Sequence, residues 1–238
     1  PIVYTKFGQE EGDNVDSQEA AYRQFFKDLD EGVKLINEYK KANAALEPFA
    51  AADILMPAGK RTLSQWVKFA NSLRLRLAIR VSMSAPDLAR AEVAKAMDAT
   101  AGGVLESADE TVAVSTESDY KNPLGTDNEG WGEVFMGATM ESVLVGYNDP
   151  RLIKYYSKAE GGDIKDEKGN LIIAERNKIA GTYKGVPQGT GVTVKDENRY
   201  RLHSKSTITK QTDAILMTAA EVWFLRAEAA LRGFTSEN

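Results

Sequence analysis

The chain has 238 residues and a net charge of −5, from 30 Lys and Arg set against 35 Asp and Glu that are interspersed along its length, which argues against a dedicated nucleic-acid binder with its basic stripe. Apolar residues make up 42% and charged residues 27%, an ordinary globular composition that excludes wholesale disorder, and no run approaches the ~18 apolar residues of a bilayer-spanning helix. The absence of cysteine removes disulfide frameworks, thiolate nucleophiles, cysteine zinc sites and iron–sulfur clusters, and the single histidine, His203, rules out a HExxH zinc site.

From Asp16 the pattern is helical. Asp16 is placed to cap, with Glu19 three residues on, and Tyr22, Phe25, Leu29, Val33 and Ile36 fall on one face over about six turns. A second helix is expected from Thr62, which has capping-box spacing to Gln65, to about Met83. Its apolar stripe runs Leu63, Trp66, Ala70, Leu73, Leu77 and Val81. Arg74, Arg76 and Arg80 flank that stripe, with aliphatic stems suited to covering apolar surface. Ser84-Ala85-Pro86-Asp87 supplies a cap, a helix-start proline and an acidic first turn for an Ala-rich third helix to about Ala99, ended by Gly102-Gly103.

The middle is less regular. Thr111 to Ser115 alternates as a short strand, and Ser118 to Gly132 reads as a polar, glycine-containing loop. Met140, Val143, Leu144 and Tyr147 mark two helical turns, after which Asp149 caps and Pro150 opens another helix. Lys168-Gly169-Asn170 is a turn before the strand Leu171-Ile172-Ile173, and Gly181 to Gly191 is an extended loop. Thr218-Ala219-Ala220-Glu221 is a capping box, Glu228 and Arg232 are spaced as a supporting pair, and Gly233 stands at the C′ position. The run Val222-Trp223-Phe224-Leu225 is apolar nearly all round and is expected to be buried. These elements predict a mainly α fold of packed helical hairpins, in one domain over 1–238: helical over 16–100, loops with short strands and short helices over 101–211, and a closing helix over 218–233.

Few residues carry recognisable chemistry. No phosphate-cradling, dinucleotide or nucleophile-elbow motif is present, and the 181–191 loop lacks the Lys-Ser/Thr ending of a phosphate cradle. Asp163 to Gly169 lacks the acidic alternation of a calcium loop and reads as a hairpin turn. His203 has only Arg199, Arg201 and Lys205 beside it, which suits a hydrogen-bonded histidine better than a metal ligand. Trp131 stands apart: it sits among Asp127, Asn128, Glu129, Gly130 and Gly132, with no apolar periodicity to give its indole a core face. Sugars present C–H faces to aromatic rings and hydroxyls to amides and carboxylates, so Trp131, with Tyr120, Asn128 and Asp127, forms a candidate glycan-binding group. The alternative for the same loop is a satellite cluster covered by Trp131.

Three stretches in order then become recognisable. Asp53-Ile54-Leu55-Met56 followed by Trp66-Val67-Lys68-Phe69-Ala70-Asn71-Ser72-Leu73-Arg74-Leu75-Arg76-Leu77-Ala78-Ile79-Arg80 resembles the "W-x-K-F-A-N-S-L-R-L-R-L-A-x-R" helix of the SusD-like (SusD/RagB) outer-membrane lipoproteins of Bacteroidetes. Tyr147-Asn148-Asp149-Pro150-Arg151-Leu152 with Tyr183 to Gly189, and Thr218 to Gly233, are similar to further stretches of that family. The resemblance implies tetratricopeptide-like helix pairs overlaid by loops and small strands, a lipid anchor on an N-terminal cysteine, and exposure at the cell surface. It also implies a partner, a SusC-type TonB-dependent transporter over which the lipoprotein acts as a lid, and an oligosaccharide or other oligomeric nutrient as ligand, without nucleic acid, metal or cofactor. Family members are longer, and the chain begins at Pro1 without an initiator Met, so a piece of a longer protein is expected. Two other readings stand beside this one: a glycoside hydrolase using Asp127 and Glu129 as acid and base, and a helical-repeat scaffold for protein partners.

Overall fold

A computed structural model describes residues 3–8, 15–44, 46–116, 120–174, 179–191 and 198–236. In chain order its elements are helices α1 (Gln18–Ala42), α2 (Leu63–Arg80) and α3 (Pro86–Ala96), strand β1 (Val112–Val114), helix α4 (Pro123–Thr126), a single π-helical turn (Asp127–Trp131), helices α5 (Ala138–Gly146) and α6 (Leu152–Tyr155), strands β2 (Ile164–Lys165), β3 (Leu171–Ile173) and β4 (Ala214–Met217), and helix α7 (Ala219–Leu231). The fold is mainly α. The chain divides into two compact units, Pro1–Ser115 with Ala214–Asn238, and Thr116–Asp213.

In the first unit α2 packs against α1, α3 and α7, and the core gathers Phe26, Met56, Leu75, Val93, Leu105, Val112, Met217 and Val222. Being covered on three sides, α2 buries residues around most of its circumference: Leu63, Val67, Asn71, Arg74, Leu75 and Ala78 are deepest, while the predicted stripe through Trp66, Ala70, Leu73 and Leu77 is only half-buried. Thr62 caps the helix as expected, its side chain accepting from the Gln65 N–H at 3.1 Å, and the helix ends at Arg80 rather than near Met83. The cap of α1 moves one residue. Ser17 accepts from the Ala20 N–H at 3.1 Å, while Asp16 turns outward to accept from the Tyr4 and Thr5 N–H groups, each at 2.8 Å. Ala85 caps α3 without a side-chain bond, and that helix stops at Ala96.

The polar residues of α2 have structural partners except Arg80, which is exposed and has none among the described residues. Trp66 Nε1 donates to Asp53 Oδ2 at 2.9 Å, and Asp53 Oδ1 accepts from the Leu55 and Met56 N–H groups. Asn71 Nδ2 donates to the carbonyls of Ala101 and Gly103 at 3.2 and 2.9 Å, and Ser72 Oγ accepts from the Leu105 N–H at 2.9 Å. Arg76 reaches Glu221 and the Leu216 carbonyl. Arg74, 3% exposed, is paired with buried Glu92 and, at 2.7 Å, with Asp30. Lys95 bridges Asp30 and Glu92 at 2.9 and 3.0 Å. Burial by itself pushes the Asp30 carboxyl up, but Lys95 and Arg74 outweigh it and hold the group below its ordinary value.

β1 pairs antiparallel with β4, a strand that gave no sequence signal because Ala214-Ile-Leu-Met217 runs directly into the apolar helix behind it. α7 has its Thr218 cap, with the Glu221 N–H donating at 3.2 Å, and the Glu228–Arg232 pair at 2.7 Å. Gly233 and Phe234 N–H groups close its end on the Ala230 and Ala229 carbonyls. The expectation that all of it is buried is corrected. Ala219, Val222 and Ala229 face inward, while Trp223 is half exposed, Phe224 is 78% and Leu231 89% exposed. A helix apolar on every side does not say which side is covered.

Within the second unit, the predicted loop of 118–132 is corrected over 123–131, which is helical. Residues 117–119 lie outside the described residues, but Asn122 caps α4 by accepting from the Leu124 N–H at 3.0 Å, and the chain then winds through the π turn. β2 and β3 form the expected hairpin, its turn held by Asp166 accepting from the Lys168 and Asn170 N–H groups.

Arg74 is the stability test of the first unit. Truncating one member of a buried pair leaves the other charge uncompensated, so Arg74→Ala is expected to cost about 3–5 kcal/mol in denaturant unfolding of the intact protein, and Arg80→Ala less than about 0.5 kcal/mol. Equal effects of the two substitutions would show that the pair is not what holds α2 to α3.

Candidate functional site

The π turn exists because three contacts from residues far along the chain hold it. Asn122 anchors its start: its N–H donates to the Lys210 carbonyl at 3.0 Å and its Nδ2 to the Thr212 carbonyl at 2.9 Å. Gly125 lets the backbones touch, since a Cβ there would lie 2.1 Å from the Thr209 carbonyl oxygen. Asn128 Nδ2 then donates to both the Ser206 and Ile208 carbonyls at 2.8 Å. These bonds fix the orientation of the amide, and Oδ1 is left buried with no donor among the described residues. Gly132, at a φ of +67°, ends the turn, its N–H shared between the Asp127 and Asn128 carbonyls at 3.1 Å each. π turns of this kind are rare and concentrate at functional sites.

The turn delivers Trp131 to the surface. The indole is 62% exposed and lines a cleft of about 580 Å³. Phe135 and Tyr200 add aromatic faces to the same cleft, and Glu133, Glu160, Asn198 and Lys205 add polar groups. One wall is an irregular ladder rather than a sheet: Phe135 bridges Lys205, Gly137 bridges Val186, and Tyr156 bridges Ser206. The Met136 N–H donates to the Ser204 carbonyl at 2.8 Å and the Val186 N–H to the Met136 carbonyl at 2.7 Å. The Lys205 ammonium stands 5.7 Å from the centre of the Phe135 ring, a cation–π distance.

Of the four residues singled out from sequence, only Trp131 lines this cleft. Asn128 is spent on the two carbonyls beneath the turn. Asp127 is exposed at the start of the turn, and Tyr120 is half-buried away from the cleft lining. Glu129 accepts from the Lys210 N–H at 3.3 Å. Tyr200, Phe135, Asn198 and Lys205 carried no sequence signal for the cleft; their only hint was an aromatic residue set among polar ones at Tyr200.

Behind this wall lies a charged group. Glu141 accepts from Lys184 Nζ and from the Gly185 N–H, both at 2.9 Å. Burial alone would push its carboxyl up, and these two donors more than reverse that, leaving it below its usual range. His203 Nδ1–H donates to the Gly185 carbonyl at 3.0 Å and the ring meets Tyr200 edge to face. Burial, with help from nearby Lys184, lowers the His203 pKa against the opposing pull of the Gly185 carbonyl and Glu141. The expected helix start at Asp149-Pro150 is corrected: α6 begins at Leu152 with Arg151 at its N-cap and no side-chain cap bond, while Asp149 accepts from the Arg151 N–H at 2.9 Å in the turn before it and the Arg151 guanidinium holds its carboxyl at about 2.

The model of the SusD-like family, described as SusD and RagB outer membrane lipoprotein, matches residues 1–238. Among solved structures, a SusD homologue from Bacteroides vulgatus is 43% identical with a TM-score of 0.84, over 100% of this chain and 44% of that one. A chitin-binding SusD homologue from Flavobacterium johnsoniae is 32% identical with a TM-score of 0.82, over 100% of this chain and 45% of that one. A SusD homologue from Bacteroides uniformis is 31% identical with a TM-score of 0.77, over 98% and 44%. The chain therefore spans less than half the length of these relatives. Among curated proteins there is no match.

Two measurements check this geometry. Asn128→Asp places a carboxylate against two carbonyl oxygens, so it is expected to lower the melting temperature more than Asn128→Ala, which only leaves those carbonyls unpaired at about 1–3 kcal/mol; the reverse order would refute the clamp. For His203, the unfolded chain takes up the proton first, at its ordinary value of 6.5. Folding stability from this group is thus present above that pH and lost as pH falls through 6.5 toward the lower folded value. Denaturation midpoints between about pH 7.5 and 5.5 are expected to fall less in His203→Gln than in the parent protein.

Proposed function

Because the chain belongs to the SusD-like family of outer-membrane lipoproteins, we propose that it binds oligosaccharide at the cell surface and passes it, unmodified, to a SusC-type TonB-dependent transporter. The single observation behind this reading is Trp131: a large indole lifted out of the core by a built turn and left 62% exposed at a cleft with further aromatic faces. Exposing that much aromatic surface forgoes the stability its burial would supply. An exposed indole face matches the C–H face of a pyranose, and the surrounding Asn198, Glu133 and Glu160 match its hydroxyls. Such a site works by stacking and hydrogen bonding alone. It needs no nucleophile and no cofactor, and the affinity it supports is modest, because an open, wet cleft leaves much of the ligand hydrated.

The chitin-binding relative makes chitin oligosaccharides the first ligands to try. Titration calorimetry of the intact protein against chitin oligosaccharides and a panel of other glycans is expected to find one binding class. Within it, Trp131→Ala should weaken affinity about tenfold or more, while substitution of the half-exposed Trp223, an indole outside the cleft, should not. Trp131→Ala binding as tightly as the parent would move the site elsewhere. Co-isolation of the membrane-bound protein with a TonB-dependent barrel tests the transfer step.

A further inference from the structure

A second cavity, of about 390 Å³, adjoins the Trp131 cleft and shares Tyr200 and Leu202 with it. Its lining differs in charge. The first cleft mixes two glutamates with Arg201 and Lys205, whereas among the described residues the second is lined by Lys184, Arg199 and His203 and by no carboxylate. Lys184 is held in place by Glu141, which stands behind it at 2.9 Å and faces His203 electrostatically. His203 gives its Nδ1–H to the Gly185 carbonyl, so in the neutral ring the remaining proton-accepting nitrogen is Nε2. That nitrogen has no partner among the described residues. Arg199 is exposed and carries no ion pair among them. Apolar walls from Ile164 and Leu202 lower the local polarity around these groups.

We propose that this second cavity holds the acidic substituent, a carboxylate or a sulfate, of a sugar whose neighbour in the same oligosaccharide stacks on Trp131. The proposal rests on the glycan reading of the Trp131 cleft. Arg199 presents a planar fork of donors suited to either oxyanion, Lys184 adds a second donor beside it, and His203 gains an Nε2–H donor when protonated. An anion seated there would favour the charged imidazole, so binding and His203 protonation are linked, each strengthening the other. Tyr200, shared by both cavities, is the partition over which the two sugar units would lie.

The test has two arms on the intact protein. In the first, the NMR signal of the His203 ring is followed against pH with and without inorganic sulfate. Sulfate is expected to raise its pKa by about half a pH unit or more, and Arg199→Gln is expected to cancel the rise; no rise in the parent protein overturns the anion site whatever the glycan. In the second, calorimetry compares matched pairs, oligogalacturonate with its methyl ester and sulfated with desulfated chondroitin oligosaccharides. One acidic member is expected to bind about tenfold tighter than its neutral partner, with the advantage lost in Arg199→Gln and shrinking at high salt. Trp131→Ala should weaken both members of that pair alike. Equal affinities within every pair, or a preference that survives Arg199→Gln, refutes the link to an acidic sugar. Binding of no saccharide together with a sulfate effect on His203 refutes the glycan reading and the link, and leaves a pocket for free anions.

Discussion

Buried backbone groups must find hydrogen-bond partners, and where this chain leaves helix and strand it finds them in a few side chains. In the first unit Asn71 holds the carbonyls of Ala101 and Gly103, Ser72 receives the Leu105 N–H, and Gln65 donates to the Glu110 carbonyl at 3.2 Å. The second unit repeats the device. There Asn122 and Asn128 serve carbonyls of the 206–212 segment, and Ser204 Oγ receives the Lys184 N–H at 3.0 Å. Each of these side chains replaces the ladder that a regular sheet would have provided. Their loss is expensive for that reason: it strands backbone atoms as well as removing a contact.

This gives the recognisable helix a purely structural meaning. From Trp66 to Arg76 the polar side chains are committed to structural contacts, Trp66 on Asp53, Asn71 and Ser72 on the 101–105 segment, Arg74 on Glu92 and Asp30, and Arg76 on Glu221. Lys68 pairs with Glu110, whose carboxylate also accepts from the Glu106 N–H at 2.8 Å. The arginine-rich face that could be mistaken for a binding surface is thus largely internal. The chemistry suited to a sugar lies in a different unit, on residues that no helical period organises.

Neighbouring charges in that second unit have separate duties. Glu141 and Lys184 neutralise each other and hold Gly185, which sits so close to the Gly137 carbonyl that a Cβ would come within 2.6 Å of it. Burial and the nearby Lys184 lower the His203 pKa, against the pull of Glu141. Lys205 is free to face the cleft over the Phe135 ring. Lys184 both pairs with Glu141 and lines the second cavity, whereas Lys205 lines the Trp131 cleft, and no sequence pattern distinguishes the two lysines.

The sequence by itself determined what closes within a few residues. The Thr62 and Thr218 caps, the Glu228–Arg232 pair, the Gly233 terminus and the turn before β3 are all settled by contacts between residues two to four positions apart. Trp131 was legible too, as an indole without a periodic core face. The tertiary structure alone decided that the 123–131 stretch is helical, because its π turn depends on carbonyls at 206, 208 and 212. It also decided which side of α7 is covered, and that Phe135, Glu160, Tyr200 and Lys205 meet Trp131 in one cleft. Such contacts join residues tens of positions apart, form only when the packing of the whole unit outweighs the entropy of closing those loops, and leave no local pattern to read.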